Sequence, residues 1–297
     1  MERPFLEVKQ IDKAYQVLSL LGSGMSADVY QVQGPQGILA LKMLKKEIPG
    51  WKESDGIKTF KFEFNLLKEL SHPHIIKIFD FGFDPKLRRF YFTQELIPGR
   101  PLNEIAPSLN ITKIQRLFLQ SLKGLAYLHQ RKVLHGDLKP TNLLVAHPQS
   151  LNPTIKMIDF GVSHPTWVEQ GGTPSYMPPE KILKEAIDPR SDLYSLALVF
   201  YTTLARRHPF KEKNVLKTMQ NQIKKIPPSL KSVQKQTPQL FSHLIALMLA
   251  KKPEDRPPSA QACLNFLGHQ EKTAPALEQA YTLYRSQVHA LSLSLGL

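Results

Sequence analysis

The sequence predicts an α+β fold, in which a β-rich first third precedes a larger, mostly helical remainder. Four short segments with strand-like patterns lie before residue 95, at 15–21, 38–44, 75–83 and 89–94. A long helical pattern follows at 111–129, and Pro98 and Gly99 interrupt the chain between the two kinds of pattern. A chain of 297 residues can form one large domain or two lobes.

The first predicted strand, 15–21, alternates apolar and polar residues and leads into the sequence G-S-G-M-S-A-D-V. Gly22 and Gly24, which flank Ser23, have no Cβ and can bring backbone N–H groups close to phosphate oxygens. An ordinary hairpin turn explains the same Gly-x-Gly pattern equally well. The turn is therefore a candidate phosphate-binding loop that needs support from the rest of the chain.

A lysine and a glutamate are placed to pair near this turn. The predicted strand I-L-A-L-K-M-L puts Ala40 and Lys42 on one face, which is also the face of the glycine turn. The segment 60–70 predicts an amphipathic helix, and Glu63 lies beside its apolar side. Glu63 can point inward and pair with Lys42, whereas exposure to solvent is the ordinary alternative for both residues.

Three kinds of polar residue lie close together in V-L-H-G-D-L-K-P-T-N-L-L-V, which follows the long helix. Asp137 can orient a hydroxyl group and accept its proton, Lys139 can neutralise charge on a moving phosphate, and Asn142 can hold a metal ion. Further on, Asp159 follows a strand pattern and precedes Phe and Gly, so its carboxylate can bind Mg²⁺. The combination indicates phosphoryl transfer.

Together these segments resemble the eukaryotic-type serine/threonine protein kinases over about residues 15–268. The resemblance is carried by G-S-G-M-S-A, H-G-D-L-K-P-T-N, D-F-G, G-T-P-S-Y-M-P-P-E, S-D-L-Y and P-E-D-R-P. It implies a bilobal protein-kinase-like fold, with a small β-rich N-lobe at 12–96 and a larger, mostly helical C-lobe at 97–268. A C-terminal helical tail at 269–297 follows the kinase domain at 12–268.

The resemblance implies a role for each candidate site residue. Asp137 is the catalytic base, Lys139 stabilises the transferred phosphoryl group, and Asn142 and Asp159 hold Mg²⁺. The implied gatekeeper is Gln94, and the hinge that offers backbone groups to adenine spans 95–97. The residues implied to contact ATP are Gly22, Ser23, Gly24, Val29, Ala40, Lys42, Glu63, Gln94, Glu95, Ile97, Asn142 and Asp159.

Three positions depart from the family pattern. Gly136 stands where the family usually has Arg, which makes the loop a non-RD variant with H-G-D. Ala27 replaces the third glycine of the glycine loop, and Pro178 replaces the alanine of the A-P-E string. The first departure has the clearest consequence, because the missing Arg usually pairs with a phosphorylated activation-loop residue.

Two other classes of protein are alternatives. Small-molecule kinases of the aminoglycoside phosphotransferase type carry a string similar to H-G-D. Two residues argue against this class: Asp192, implied to brace the catalytic loop, and Arg256, implied to pair with Glu180. The second alternative is a pseudokinase, which would bind Mg-ATP without transferring phosphate. The sequence argues against it, because every charged position that the chemistry needs is filled.

The implied activity is phosphorylation of Ser or Thr hydroxyls on a protein substrate, with ATP and Mg²⁺. Lys139 within D-L-K-P-T-N and Thr173 both fit the serine/threonine group. Because Gly136 cannot pair with a phosphate, we expect activity that does not depend on activation-loop phosphorylation. Ser163, Thr166 and Thr173 are nevertheless candidate sites of modification.

The net charge of +14 is concentrated between residues 206 and 236, which contain nine basic residues and one acid. Only Phe210 offers an aromatic ring there for base stacking, so no specific nucleic-acid binding is expected. A solvated face or a docking surface for an acidic partner are the two interpretations. Pro101 and Thr141 occupy positions where arginine-directed kinases usually carry acids, which favours substrates with neutral or acidic surroundings.

The remaining features predict a soluble, cytoplasmic chain without a transmembrane segment. No apolar run reaches the ~18 residues of a spanning helix, the amino terminus lacks a signal-peptide pattern, and the single cysteine, Cys263, excludes an intrachain disulfide. The tail has helical spacing, and it can pack on its own lobe or bind a partner helix. Its apolar stripe consists of Leu277, Tyr281, Tyr284, Val288, Leu291 and Leu295.

Overall fold

The computed structural model describes residues 9–161, 174–268 and 270–294, with only the backbone described for 270–274 and 288–294. The described residues form two compact units, and the division lies between Pro98 and Gly99. The first unit is a sheet with one helix and the second is mostly helical, so the predicted α+β class is confirmed. The predicted limits of the kinase domain, 12–268, stay a prediction.

The first unit contains a six-stranded antiparallel sheet in the order β1-β2-β3-β4-β6-β5. The strands are β1 Gln10–Ile11, β2 Tyr15–Ser23, β3 Ala27–Gly34, β4 Gly37–Leu44, β5 Ile78–Asp84 and β6 Arg89–Glu95. The strand predicted for 75–83 begins three residues later than expected, although Ile75 and Ile76 are buried. Strand β3 was not predicted, although its own alternating pattern, A-D-V-Y-Q-V-Q, was available in the sequence.

Helix α1, Glu53–Lys68, packs its apolar side against this sheet. The ring centroids of Phe60 and Phe92 lie 4.8 Å apart, and those of Phe64 and Phe81 lie 5.0 Å apart. The helix begins seven residues before the predicted start at 60, since the first turn contains Glu53 and Asp55, whose charges favour a helix N-terminus. Glu63 is itself buried, and it therefore lies on the side of the helix that faces the sheet.

The second unit contains a three-stranded sheet in the order β7-β8-β9 and nine described α-helices. The strands are β7 Gly99–Pro101, β8 Leu143–Ala146 and β9 Thr154–Met157. The helices are α2 Leu102–Ile105, α3 Ile111–Gln130, α4 Pro179–Ile182, α5 Pro189–Ala205, α6 Val215–Lys224, α7 Leu230–Val233, α8 Gln239–Met248, α9 Ala260–Gly268 and α10 Gln270–Ser294. The long helix predicted at 111–129 is therefore present, with one added residue.

Helix α5 lies in the core of the second unit. It is buried along most of its length, as expected for a helix that is apolar nearly all round. The Phe118 ring on α3 makes edge contacts with Phe200 on α5 and Phe241 on α8, at centroid distances of 5.1 and 5.0 Å. Asp188 caps the helix N-terminus by accepting a hydrogen bond from the Arg190 N–H. This packing fixes Asp192, in the first turn, within the protein.

The described part of the tail packs on the second unit. Leu277 and Tyr284 on α10 are buried, and the Tyr281 ring stacks on His243 of α8 at 3.9 Å between centroids. The side chains of Val288 and Leu291, and all of Leu295, lie outside the described residues. The contacts favour packing of the tail on its own unit over binding of a partner helix. Across the described ranges, no helix combines the length and apolarity needed to cross a membrane.

Candidate active site

The loop between α3 and β8 is held by the buried carboxylate of Asp192. Its Oδ2 accepts a hydrogen bond from the His135 N–H and its Oδ1 accepts one from the Gly136 N–H, both at 2.9 Å. The Nε2 of His129 lies 2.9 Å from the same Oδ2. Burial alone would raise the pKa of Asp192, but the hydrogen bonds and charges around it outweigh burial and lower the pKa. The predicted bracing of the loop by Asp192 is confirmed.

Asp137, Lys139 and Asn142 meet at the end of this loop. The Nζ of Lys139 lies 2.7 Å from Oδ2 of Asp137, and the Nδ2 of Asn142 donates to the same oxygen at 3.1 Å. Asn142 also donates to the Asp137 carbonyl at 2.9 Å, and its side chain is buried in the short 3-10 turn Pro140–Asn142. The Asp137 carboxylate is partly exposed at 28% and is thus within reach of a substrate.

Asn142 connects Asp137 to Asp159. Its Nδ2 lies 3.2 Å from the Asp159 carbonyl, and its own carbonyl accepts the Ile158 N–H at 3.0 Å. Because the amide nitrogen is directed to Asp137 and Asp159, the Oδ1 lies on the opposite edge of the amide. Amide and carboxylate oxygens are the ligands that Mg²⁺ prefers, together with phosphates. The side chains of Asn142 and Asp159 therefore carry oxygen atoms of the kind that Mg²⁺ takes as ligands, and their role in holding the ion stays a prediction.

A glycine is required beside Asp137. An added Cβ at Gly161 would lie 2.7 Å from Cβ of Asp137, so any side chain at this position would clash with Asp137. The Gly161 N–H donates to the His135 carbonyl at 2.8 Å, and the His135 ring stacks on Phe160 at 4.5 Å between centroids. Burial lowers the pKa of His135. The D-F-G segment is thus tied directly to the loop of Asp137.

In the first unit, Lys42 and Glu63 form a buried ion pair. The Nζ of Lys42 lies 2.7 Å from Oε1 of Glu63, and the two side chains are 11% and 10% exposed. The strand pairing places Lys42 opposite Val29, and Ala40 opposite Gln94. Because residues opposite each other in an antiparallel sheet share a face, all four of these sheet residues lie on one face. The structure thus forms the predicted pair of Lys42 and Glu63, and it places Lys42 on the sheet face that was predicted to bind the nucleotide.

The glycine turn is fixed by a second lysine that sequence reasoning missed. The Nζ of Lys45 donates to the Gly24 carbonyl at 2.6 Å and to Oγ of Ser23 at 3.0 Å. The Gly24 N–H donates to the Ala27 carbonyl at 2.8 Å, so it closes the turn. Gly22 lies within β2, and an added Cβ there would meet no atom within 4 Å. Open space at Gly22 is the feature that suits the approach of a ligand.

The predicted hinge residues lie at the end of β6. The Glu95 N–H donates to the Lys77 carbonyl at 2.9 Å, and its Oε1 accepts the Lys77 N–H at 2.8 Å. Ile97 follows the strand and is half-buried. The roles of Gln94, Glu95 and Ile97 stay predictions.

Glu180 and Arg256 form the ion pair that the sequence predicted. Nη1 and Nη2 of Arg256 contact the two carboxylate oxygens at 2.7 and 2.8 Å, and both side chains are almost fully buried. Ser191 donates to Glu180 at 2.6 Å. Burial would raise the pKa of Glu180, but the hydrogen bonds and charge of Arg256 outweigh burial and lower it.

Replacing Glu180 with glutamine should destabilise the protein by about 3–5 kcal/mol, because Arg256 would keep a buried charge without a charged partner. Urea unfolding of the variant and of the exposed control Glu185→Gln measures the difference. The lowered pKa means that the contribution of Glu180 is complete above the ordinary value of 4.5 and is lost as the pH falls further. Equal stabilities at pH 7 would contradict the expectation.

One contact of the loop that carries Asp137 had no signal in the sequence. The Nζ of Lys181, on α4, donates to the Gly136 carbonyl at 2.8 Å. The candidate modification sites Ser163, Thr166 and Thr173 lie outside the described residues.

Comparison with known proteins identifies the family. The family model described as "Protein kinase domain" matches residues 15–266. The chain belongs to the protein kinase family. It is similar to the serine/threonine-protein kinase Pkn1 of Myxococcus xanthus, with 31% identity over 77% of this chain and 34% of Pkn1. It is also similar to the DNA damage-responsive serine/threonine-protein kinase RqkA of Deinococcus radiodurans, with 29% identity over 84% of this chain and 38% of RqkA.

Solved structures agree with this assignment. The crystal structure of a double mutant of the Mycobacterium tuberculosis PknI kinase domain matches with a TM-score of 0.69 and 25% identity, over 90% of this chain and 99% of that one. By contrast, this chain spans only about a third of the length of Pkn1 and RqkA.

Proposed function

We propose that the protein is a serine/threonine protein kinase that transfers the γ-phosphoryl group of ATP to hydroxyl groups of protein substrates. The observation that carries the proposal is the Asp137 carboxylate, held at 2.7 Å by Lys139 and at 3.1 Å by Asn142 on a loop fixed by Asp192. Membership of the protein kinase family and the names of Pkn1 and RqkA support the same activity.

In the proposed reaction Asp137 orients the substrate hydroxyl and accepts its proton as the oxygen attacks phosphorus in line with the leaving oxygen of ADP. Lys139, beside Asp137, stabilises the negative charge of the transferred group. Asn142 and Asp159 would hold Mg²⁺ through their side-chain oxygens. A bound ion would supply positive charge that offsets the negative charge of the phosphates.

The first unit would bind the nucleotide. Lys42 is kept in place by its 2.7 Å contact with Glu63 and can donate to the α- and β-phosphates. Val29 and Ala40 lie on the same sheet face and would contact adenine, while the turn of Gly22, Ser23 and Gly24 would cover the phosphates. Most of the rate acceleration then comes from positioning and fixed charge.

A transfer assay with labelled ATP tests the proposal against its two alternatives. Wild-type protein, γ-labelled ATP and Mg²⁺ are incubated with either a generic protein substrate or an aminoglycoside. We expect label on the protein substrate. Label on the aminoglycoside would favour a small-molecule phosphotransferase, and nucleotide binding without transfer to either acceptor would favour a pseudokinase.

We further propose that activity does not depend on activation-loop phosphorylation. Gly136 has no side chain that could pair with a phosphate, so the usual charge-assisted contact cannot form. Treatment with a phosphatase, followed by its removal, should leave kcat within about twofold of the untreated enzyme, since no phosphate contact orders the loop. Mass spectrometry must show that phosphate was removed. A large loss of kcat on treatment would contradict the proposal.

The basic stretch at 206–236 is proposed to favour acidic partners. Eight of its nine basic residues are exposed, and Lys231 is half-buried. A positive surface of this kind attracts acidic segments and raises their rate of association. In a peptide array we expect acidic or neutral sequences to be phosphorylated best. A strong requirement for upstream arginine would contradict this preference.

A further inference from the structure

Lys181 places a positive charge next to the catalytic loop from outside it. Its Nζ donates at 2.8 Å to the carbonyl of Gly136, which belongs to the peptide bond that joins Gly136 to Asp137. Burial lowers the pKa of Lys181, and the charges of Asp137 and Asp192 oppose that shift. The charges of these two aspartates therefore act on the Lys181 ammonium group, as does the like charge of Lys139.

The loop cannot supply such a charge from position 136 itself. Gly136 has a φ of 71°, in the left-handed region that favours glycine. An added Cβ there would lie 2.9 Å from the Gly161 carbonyl oxygen, so any side chain would require the backbone to move. The carbonyl of Gly136 is the remaining group through which a cation can hold this peptide.

Lys181 is itself firmly supported. It follows Glu180, whose carboxylate is bound by both terminal nitrogens of Arg256 and by Ser191. Its N–H donates to the Pro178 carbonyl at 3.1 Å at the start of α4. Because the backbone at Lys181 is held in this way, the root of its side chain has a fixed position relative to the loop.

We propose that Lys181 is a positioning residue, whose ammonium group holds the Gly136 peptide and supplies, in addition to Lys139, a cationic charge that position 136 cannot carry. The inference rests on the proposed kinase function and adds to it a contact between α4 and the catalytic loop. A loop held from outside in this way needs no phosphate for its order.

Three substitutions separate charge, hydrogen bonding and structure. Lys181→Met removes both charge and donor, Lys181→Gln keeps an N–H donor without charge, and Lys181→Arg keeps the charge. Lys184→Met, at an exposed lysine three residues further on, is the matched control. Thermal unfolding of each variant shows whether it is folded, and steady-state kinetics give kcat and the KM for ATP.

We expect both neutral variants to lose roughly 10- to 100-fold in kcat, with the KM for ATP within about twofold of wild type, because only the position of the transferring loop is disturbed. Lys181→Arg should recover most of kcat, and Lys184→Met should equal wild type. Where Lys181→Met fails to fold, Lys181→Gln decides the question.

Several results would overturn the inference. These are a folded neutral variant with wild-type kcat, an arginine variant as slow as the methionine variant, or unfolding of both neutral variants while the arginine variant is folded. The last result would show a purely structural residue. An inactive wild type would instead contradict the proposed kinase function, and this inference would be withdrawn with it.

Discussion

Asp137→Asn should lower kcat by about 100- to 10,000-fold, because the amide can no longer accept the proton of the substrate hydroxyl. Asparagine has nearly the same volume, so packing of the loop on Asp192 should be retained. Its oxygen can still accept the hydrogen bonds that Lys139 and Asn142 donate at 2.7 and 3.1 Å. The effect should therefore appear in kcat, measured with labelled ATP under saturating substrates, and not in the thermal stability.

The control for this variant is Glu185→Gln, which removes an exposed carboxylate of the same unit. It should turn over at the wild-type rate. If Asp137→Asn retained near wild-type kcat while folded, Asp137 would not be the base, and the proposed reaction would lose its central residue.

Lys42→Met should lower kcat/KM for ATP by about 100-fold or more, because a fixed charge in a water-poor site stabilises phosphate far better than solvent does. Lys42 is buried beside Glu63, so its removal also leaves that carboxylate without the partner seen at 2.7 Å. Repulsion between Glu63 and the nucleotide phosphates should add to the loss. Steady-state kinetics with varied ATP measure the effect.

Lys46→Met is the matched control, since Lys46 is exposed just beyond the same strand, β4. It should behave as wild type. Glu63→Gln should give a smaller loss than Lys42→Met, because the lysine stays present but is held by a neutral group. A Lys42→Met protein with near wild-type kcat/KM would refute the nucleotide-binding role of Lys42.

The parts of the site that the sequence predicted are those set by short spacing or by a regular period. Asp137, Lys139 and Asn142 lie within six positions, so any compact loop keeps them close together. The pairing of Lys42 with Glu63 spans 21 residues, but strand alternation and helix periodicity together fix which way each side chain points. Asp192 and Arg256 were predicted through the family resemblance.

The parts that were missed depend on tertiary packing. Lys181 reaches Gly136 across 45 positions, and neither residue lies in a pattern that would indicate the contact. Lys45 follows the predicted strand face but bends back to the glycine turn, a path that sequence alone does not determine. The start of α1 at Glu53 was missed because its first turn carries little apolar periodicity.

The central claim is transfer of phosphate from ATP to Ser or Thr hydroxyls by the loop that carries Asp137. Its most direct test is phosphoamino-acid analysis of a protein substrate labelled by wild-type enzyme and by Asp137→Asn in parallel. The account predicts phosphoserine or phosphothreonine with wild type and almost none with the variant. Label on tyrosine, or equal labelling by both proteins, would contradict it.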